Sequence, residues 1–331
     1  MPLLSVIIPV YNVERYIKKC FDSIIVQIKD ADVEIICIND GSTDKSGEIC
    51  DEYAAKYNKI KVYHQNNKGV AAARNYGLSI IKGQYIAWID PDDYISNKWY
   101  ENISTLIMEE QPDILFFDYV LMDNNNLKIK CFADKTDYIS QEKFLTEIVK
   151  DVKIQSQLWQ KVFKRELFKN IRFPENIKCM EDYAILHKII LKANKIYYLK
   201  KILYFYRIRE NSLVKKFDLE KSFKCYLIAK ERYSYLNNTK IEASKIGYLI
   251  QALGFCIQFC KINAFERKNY SGMFRICKNE INRNIFYILV EKEFDIRIKL
   301  KFLLCYLSFL KTSAKIYNFI KNIRNKGYFN Y

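Results

Sequence analysis

Three carboxylates fall within four positions at Asp90-Pro91-Asp92-Asp93, directly after the strand-like stretch Gln84-Tyr85-Ile86-Ala87-Trp88-Ile89. Carboxylates this close repel one another, and a cation relieves that repulsion. A hard divalent ion such as Mg2+ or Mn2+ suits these oxygen ligands and can share its other positions with substrate phosphates. The same residues also read as a polar turn leading to a helix at Asn97-Lys98, since acidic turns before helices are common. Pro91 ends the strand in both readings.

Other chemistry-bearing residues show the same two-sidedness. Asp40-Gly41-Ser42-Thr43 closes an apolar run and reads as a turn with an N-cap or as a ligand corner. It matches neither the GxGxxG nor the P-loop pattern, so a dinucleotide fold and a P-loop NTPase are not indicated. Arg74 follows Asn67-Lys68-Gly69 inside a helical stretch, where it is either a solvated cation or one that meets a phosphate at the strand ends. Asp182 opens a helix after Cys179-Met180-Glu181. It is either a favourable charge at the helix N-terminus or a general base entering a pocket. Leu158-Trp159-Gln160-Lys161 brings a large aromatic and a cation close to that carboxylate in sequence.

Alternating elements must place these residues. Strand patterns at Ser5–Val10, Val33–Ile38, Ile60–His64 and Gln84–Asp90 alternate with helical spacing over Glu14–Gln27, 43–57 and Gly69–Ile81. This order predicts an α/β fold with a mostly parallel sheet flanked by helices, and ligands beyond the C-terminal strand ends. The loaded residues fall there: Pro9, Tyr11 and Glu14 after the first strand, Asp40 after the second, and the acidic triplet after the fourth. Lys98–Glu110, Asp113–Val120, Leu127–Phe132 and Gln141–Val149 continue the pattern as helix, strand, strand and helix.

The chain of 331 residues is half apolar, enough for a sizeable core, and carries a net charge of +16. Ten cysteines lie singly, without a CxxC pair, as expected for reduced thiols in the cytoplasm, and two histidines are too few for a histidine-based metal site. The opening Met1-Pro2-Leu3-Leu4 lacks a basic leader segment, and no run reaches about twenty apolar residues, so neither a signal peptide nor a transmembrane span is expected. Charge separates two regions. Residues 213–331 hold 23 Lys/Arg against 9 Asp/Glu, whereas 1–212 hold 31 against 29. The basic region reads as all-helical over Leu219–Leu236, Ile241–Phe265, Met273–Val290 and Phe294–Ile323.

In the last of these, Arg297, Lys301, Ser308, Lys311, Thr312 and Lys315 project to one side and Ile298, Phe302, Leu303, Tyr306, Phe309, Leu310 and Ile316 to the other. A basic amphipathic helix over 296–331 suits an anionic membrane surface; packing on its own bundle is the competing expectation. Nucleic acid is not an expected partner, because no recognised binding module accompanies the charge.

Together the ordered motifs resemble an inverting family 2 glycosyltransferase with the GT-A fold. The matching stretches are Ser5-Val-Ile-Ile-Pro-Val-Tyr-Asn12, Asn39-Asp-Gly-Ser-Thr-Asp44, Asn67-Lys-Gly69 with Ala73-Arg-Asn75, Asp90-Pro-Asp-Asp93, and Glu181-Asp182, with the resemblance ending near Leu203–Arg207 and Asn211-Ser212. It implies a catalytic domain over 1–212 and leaves 213–331 as a helical region for membrane or homo-oligomer contact.

By the same resemblance Pro9, Tyr11, Glu14, Asp40, Lys68, Arg74 and Asp90 bind the donor, with Asp40 at the base and suited to uracil. Asp92 and Asp90 hold Mn2+ or Mg2+, Asp182 is the catalytic base, and Glu181 supports the site or the acceptor; Trp159 and Lys161, from their place in the sequence rather than the resemblance, are expected in the same supporting role. Asp93 is expected to be no more than a helix-entry residue. The implied reaction moves a sugar from a nucleotide-sugar, a UDP-sugar by preference, to a saccharide or lipid-linked saccharide. Its expected setting is bacterial surface-polysaccharide synthesis, such as a capsule, in the cytoplasm or on the inner membrane face. The alternative is a non-catalytic partner subunit that keeps the fold; intact Asp40, Asp92 and Asp182 argue against it.

Overall fold

The computed structural model describes residues 1–123, 126–150, 154–177, 179–208, 218–236, 243–292 and 294–307. The chain divides into two compact units, Met1–Lys216 and Phe217–Tyr331.

The first unit begins with β1 (Leu4–Val10), α1 (Ile17–Ile28), β2 (Val33–Asp40), α2 (Ser46–Lys56), β3 (Ile60–Gln65), α3 (Val70–Ile80) and β4 (Tyr85–Trp88). It continues with β5 (Tyr94–Ile95), α4 (Trp99–Glu110), β6 (Ile114–Asp123), β7 (Asn126–Lys130), β8 (Asp137–Ile139) and α5 (Gln141–Lys150). It ends with β9 (Lys161–Lys164), α6 (Glu181–Ile190) and β10 (Ile196–Arg207). The sheet runs β3-β2-β1-β4-β9-β6-β10-β5, with β7 on β6 and β8 on β10. The expected α/β class is borne out. The first four strands are mutually parallel, as are β6 and β10, while β9 enters antiparallel between β4 and β6. Sequence order reverses at β1, so the strand ends around it form the crevice where such sheets take ligands.

β1 is buried on both faces and apolar except for Ser5, whose hydroxyl donates to Glu34 Oε1 at 2.6 Å. Its Leu4, Val6, Ile8 and Val10 join Ile17, Cys20, Phe21, Ile24 and Ile28 of α1 in one core cluster. Each such side chain contributes about 1.5–3 kcal/mol by leaving water, against about 1–2 kcal/mol per residue for ordering backbone. The buried stripe therefore holds α1 in place. On the opposite face Ile7 meets α3 at Gly77, where an added Cβ would lie 2.6 Å from Ile7 Cγ2. That close approach fixes α3, and with it Arg74 one turn earlier.

In the second unit α7 (Leu219–Leu236), α8 (Ala243–Phe259), α9 (Ala264–Arg283), α10 (Ile285–Val290) and α11 (Ile296–Tyr306) bear out the helical expectation but shift its boundaries. The helix expected over 241–265 ends at Phe259, and the next begins nine residues before Met273. A capping box sets the break: Asn263 accepts from Glu266 N at 2.9 Å while Glu266 accepts from Asn263 N at 3.3 Å. Arg267 closes the preceding helix by donating to the Phe259 and Cys260 carbonyls. No helix among the described residues is long and apolar enough to cross a membrane.

The face of α11 expected to be free is partly used. Phe302 and Cys305 are buried, and the Phe302 ring meets Phe294 edge-on at 5.3 Å. The exposed apolar residues are Ile296, Leu300, Tyr306 and Leu307. The segment 308–331, which carried half of the projected helix, lies outside the described residues.

Candidate active site

The loops after β1 and β2 are laced into one corner. Asn12 Oδ1 accepts from Thr43 N at 2.8 Å, Val13 N donates to Ser46 Oγ at 2.8 Å, and Glu14 Oε2 accepts from Lys45 N at 3.0 Å. Asp44 receives the Glu14 and Ser46 amides; partial burial raises its pKa, but the Ser46 hydroxyl and these amides outweigh it and hold the carboxyl below its usual range. Gly41 has φ +67°, and a Cβ there would lie 2.7 Å from Asn67 N, so only glycine lets the second loop touch the stretch before α3.

Asp40 clasps that stretch from beneath. Its Oδ1 accepts from Gln65 Nε2 and Lys68 N, and its Oδ2 from Gly69 N at 2.8 Å. A carboxylate offers about four lone-pair sites, which leaves one on Oδ2 for a ligand. Pro9 is buried past the last β4 partner of β1, so no ladder bond on that side asks for its missing N–H. Tyr11 is 47 % exposed and Lys68 is exposed, both on loops bordering this corner.

A second cluster lies at the end of β4. Arg74, 5 % exposed, donates through Nη1 to Glu181 Oε1 at 2.7 Å and to Asp182 Oδ1 at 2.6 Å, with Nη2 3.8 Å from Asp90 Oδ1. One guanidinium thus ties the end of β4 to the first turn of α6. Although burial disfavours its charge, Asp182, Glu181 and Asp90 hold it protonated beyond its ordinary range. Its buried Nε has no hydrogen-bond partner among the described residues. Burial pushes Asp182 up to about 7; Arg74 opposes the shift, and Glu181 and Asp90 add to it. A carboxylate tuned near neutrality suits proton abstraction. Met180, at φ +58°, turns the chain into α6 so that Glu181 and Asp182 occupy its first turn. Asn75, beside Arg74, anchors the approach by pairing both ends of its amide with Phe173 backbone.

The members of the acidic triplet differ. Asp93 is 1 % exposed and takes part in no helix entry: its Oδ2 accepts from Tyr204 O–H at 2.9 Å and its Oδ1 from Arg207 N at 2.7 Å. Burial, with Asp92 and Asp90 nearby, pushes Asp93 well above the carboxylate range despite those bonds. Asp90 and Asp92 stay partly exposed. Among the described residues no three His, Cys, Asp or Glu side chains are grouped to hold a metal ion. Two accessible carboxylates form no cage, but they are the donor set for Mg2+ or Mn2+ that keeps water and substrate phosphates as its other ligands. The oxygen chemistry at Asp90 and Asp92 fits such an ion.

Trp159 and Lys161 are placed more deeply than a surface contact requires. Trp159 is 4 % exposed, stacks on Tyr204 with centroids 4.5 Å apart, and meets Tyr119 edge-on. Lys161 is fully buried and donates to the Gln155 and Gln157 carbonyls, reaching Asp182 through its field. The sequence assigned no role to Ser46, Asn75, Tyr204 or Arg207, although the last three fall in stretches that carry the resemblance. Ser46 follows Asp44 by two residues and Asn75 adjoins Arg74, and the charged neighbours drew attention first. Tyr204 and Arg207 contact residues more than a hundred positions away.

Comparisons with known proteins bear on the family and the fold. The sequence profile described as glycosyl transferase family 2 matches residues 5–177, stopping just short of Glu181 and Asp182. Glycosyltransferase GlyG of Streptococcus pneumoniae serotype 4 is 35% identical over 227 residues, which is 66% of this chain and 75% of that one. Minor teichoic acid biosynthesis protein GgaB of Bacillus subtilis (strain 168) is 37% identical over 215 residues, 62% of this chain but only 23% of GgaB. The crystal structure of S. aureus TarS 1-349 in complex with UDP-GlcNAc superposes with a TM-score of 0.68 at 21% identity, covering 95% of this chain and 92% of that one. At that identity the likeness speaks for the fold.

Proposed function

The chain belongs to glycosyl transferase family 2, and on that premise we propose that it transfers a sugar from a UDP-sugar to a saccharide or lipid-linked saccharide acceptor, inverting the anomeric centre. The setting we infer is bacterial surface-polysaccharide synthesis, supported by relatives such as the teichoic acid protein. The observation that carries the reading is the Arg74 clamp, which joins a carboxylate tuned to about 7 to the acidic end of β4.

In this account the uracil N–H uses the remaining acceptor position of Asp40, with Pro9, Tyr11, Glu14 and Lys68 bordering the nucleotide. Asp92 and Asp90 would hold Mg2+ or Mn2+, which supplies charge stabilisation to the departing diphosphate. Arg74 adds its own positive charge there and keeps Asp182 and Glu181 oriented. Asp182 takes the proton from the acceptor hydroxyl while that oxygen bonds to the anomeric carbon. The carbon–oxygen bond to UDP breaks on the opposite face, its electron pair leaving with the diphosphate. One displacement needs one base and no covalent nucleophile, in contrast with retaining glycosidases.

The basic second unit supports a peripheral contact with the inner membrane face, and a homo-oligomer contact is the other role proposed for it. A panel of nucleotide-sugars screened for thermal stabilisation with Mn2+ tests the donor. A ligand at a hundred times its Kd adds about 2.7 kcal/mol, so UDP-sugars should raise Tm where GDP- and CMP-sugars do not. Stabilisation by GDP-sugars alone would overturn the uracil assignment.

A further inference from the structure

We propose that Tyr204 is a positioning residue whose phenol sets the spacing of the Asp90 and Asp92 carboxylates, and so the strength with which the site holds a divalent ion and a diphosphate together. The inference rests on the functional reading above and extends it to a residue on a distant strand. Tyr204 is fully buried, and its hydroxyl is used in both directions. It accepts from Asp90 N at 3.0 Å and donates to Asp93 Oδ2 at 2.9 Å, bridging the first and last residues of the acidic loop. The Asp93 amide closes the same loop onto Asp90 O at 3.0 Å, and Arg207 N takes the other Asp93 oxygen.

Beyond the loop, Tyr94 and Ile95 pair antiparallel with Phe205 and Tyr204. The four-residue loop is therefore pinned at both ends to β10, and Asp90 and Asp92 are the members left partly exposed to meet a ligand. Trp159 stacks on the Tyr204 ring with planes 15° apart, which fixes the ring and thus the direction of its hydroxyl. This gives Trp159 a role through Tyr204 that its burial allows.

Tyr204→Phe keeps the stack and removes both bonds. Outer-shell partners of metal ligands typically contribute about 10–100-fold in affinity. Titration calorimetry of the full chain with UDP in Mn2+, and with uridine alone, reads the effect. The variant should bind UDP–Mn2+ about 10–100-fold more weakly and uridine as tightly as the unsubstituted chain. Unchanged UDP–Mn2+ affinity, or an equal loss for uridine, would overturn the proposal, since a general loosening of the fold moves both. Should Tyr204→Phe fail to fold, Asp93→Asn weakens the same bond from its other end and is read identically. If the unsubstituted chain binds UDP no more tightly with Mn2+ than without, the metal assignment falls and this inference falls with it; if it does, only the Tyr204 result decides.

Discussion

Asp182 lies 2.6 Å from a guanidinium and still has its pKa pushed up to about 7, because burial outweighs the attraction. The direction of the shift sets two opposite pH dependences. Between the ordinary value of 3.8 and about 7, the folded chain keeps a proton that the unfolded chain has lost. The stability this group contributes therefore falls as pH rises through that window. Activity runs the other way, because only the ionised carboxylate accepts the acceptor's proton. The rate of UDP release should rise about tenfold per pH unit below 7 and level off above it. A profile that is flat from roughly pH 5.5 to 8.5 would remove Asp182 as the titrating base. Much of this site was legible in sequence: Asp40, Asp90 and Asp92 follow apolar runs, where an α/β sheet takes its ligands, and Asp182 opens a helix. The assignment of Asp93 as a helix entry was not, since its partners Tyr204 and Arg207 lie on a strand more than a hundred residues later.

At the scale of elements, α3 transmits the packing of β1 to the chemistry. Gly77 lets the helix sit on Ile7, and Arg74 is one turn away on the same helix. Gly77→Ala forces a contact of 2.6 Å, so overpacking should destabilise the fold by about 1–3 kcal/mol, and UDP-sugar turnover should fall with it as Arg74 shifts. Denaturant unfolding and turnover of the variant check this; unchanged values in both would show that the contact relaxes freely. The β1 to β4 alternation was readable because β1, β2 and β4 are rich in buried apolar residues and β-branched or aromatic residues mark β3, with helical spacing between them. β9 was not, since four residues starting at a buried lysine carry no strand period, and its antiparallel insertion depends on partners from β4 and β6. The α8–α9 break was present in sequence as Asn263-Ala264-Phe265-Glu266, a capping signal masked by the apolar residues around it.

For the whole molecule, charge as well as fold distinguishes the two units, and the charge asymmetry bears on where the enzyme works. Phe302 and Cys305 of α11 pack inward, while Ile296, Leu300 and Leu307 are exposed beside Arg297 and Lys299. An anionic bilayer would bury the exposed Ile296, Leu300 and Leu307 and attract Arg297 and Lys299, at about 1 kcal/mol per basic residue near the surface. Leu300→Glu should therefore weaken binding to phosphatidylserine vesicles severalfold without altering UDP-sugar turnover in solution. Equal partitioning of variant and unsubstituted chain would exclude this face.

The role of Asp182 as the base of a sugar transfer, supported by the Arg74 clamp, is read by measuring transfer and donor affinity together in Asp182→Asn, which keeps the shape of the side chain and removes its basicity. A loss of about 10²–10⁴-fold in transfer rate is expected, with UDP-sugar affinity retained. Transfer within a few-fold of the unsubstituted enzyme would contradict it.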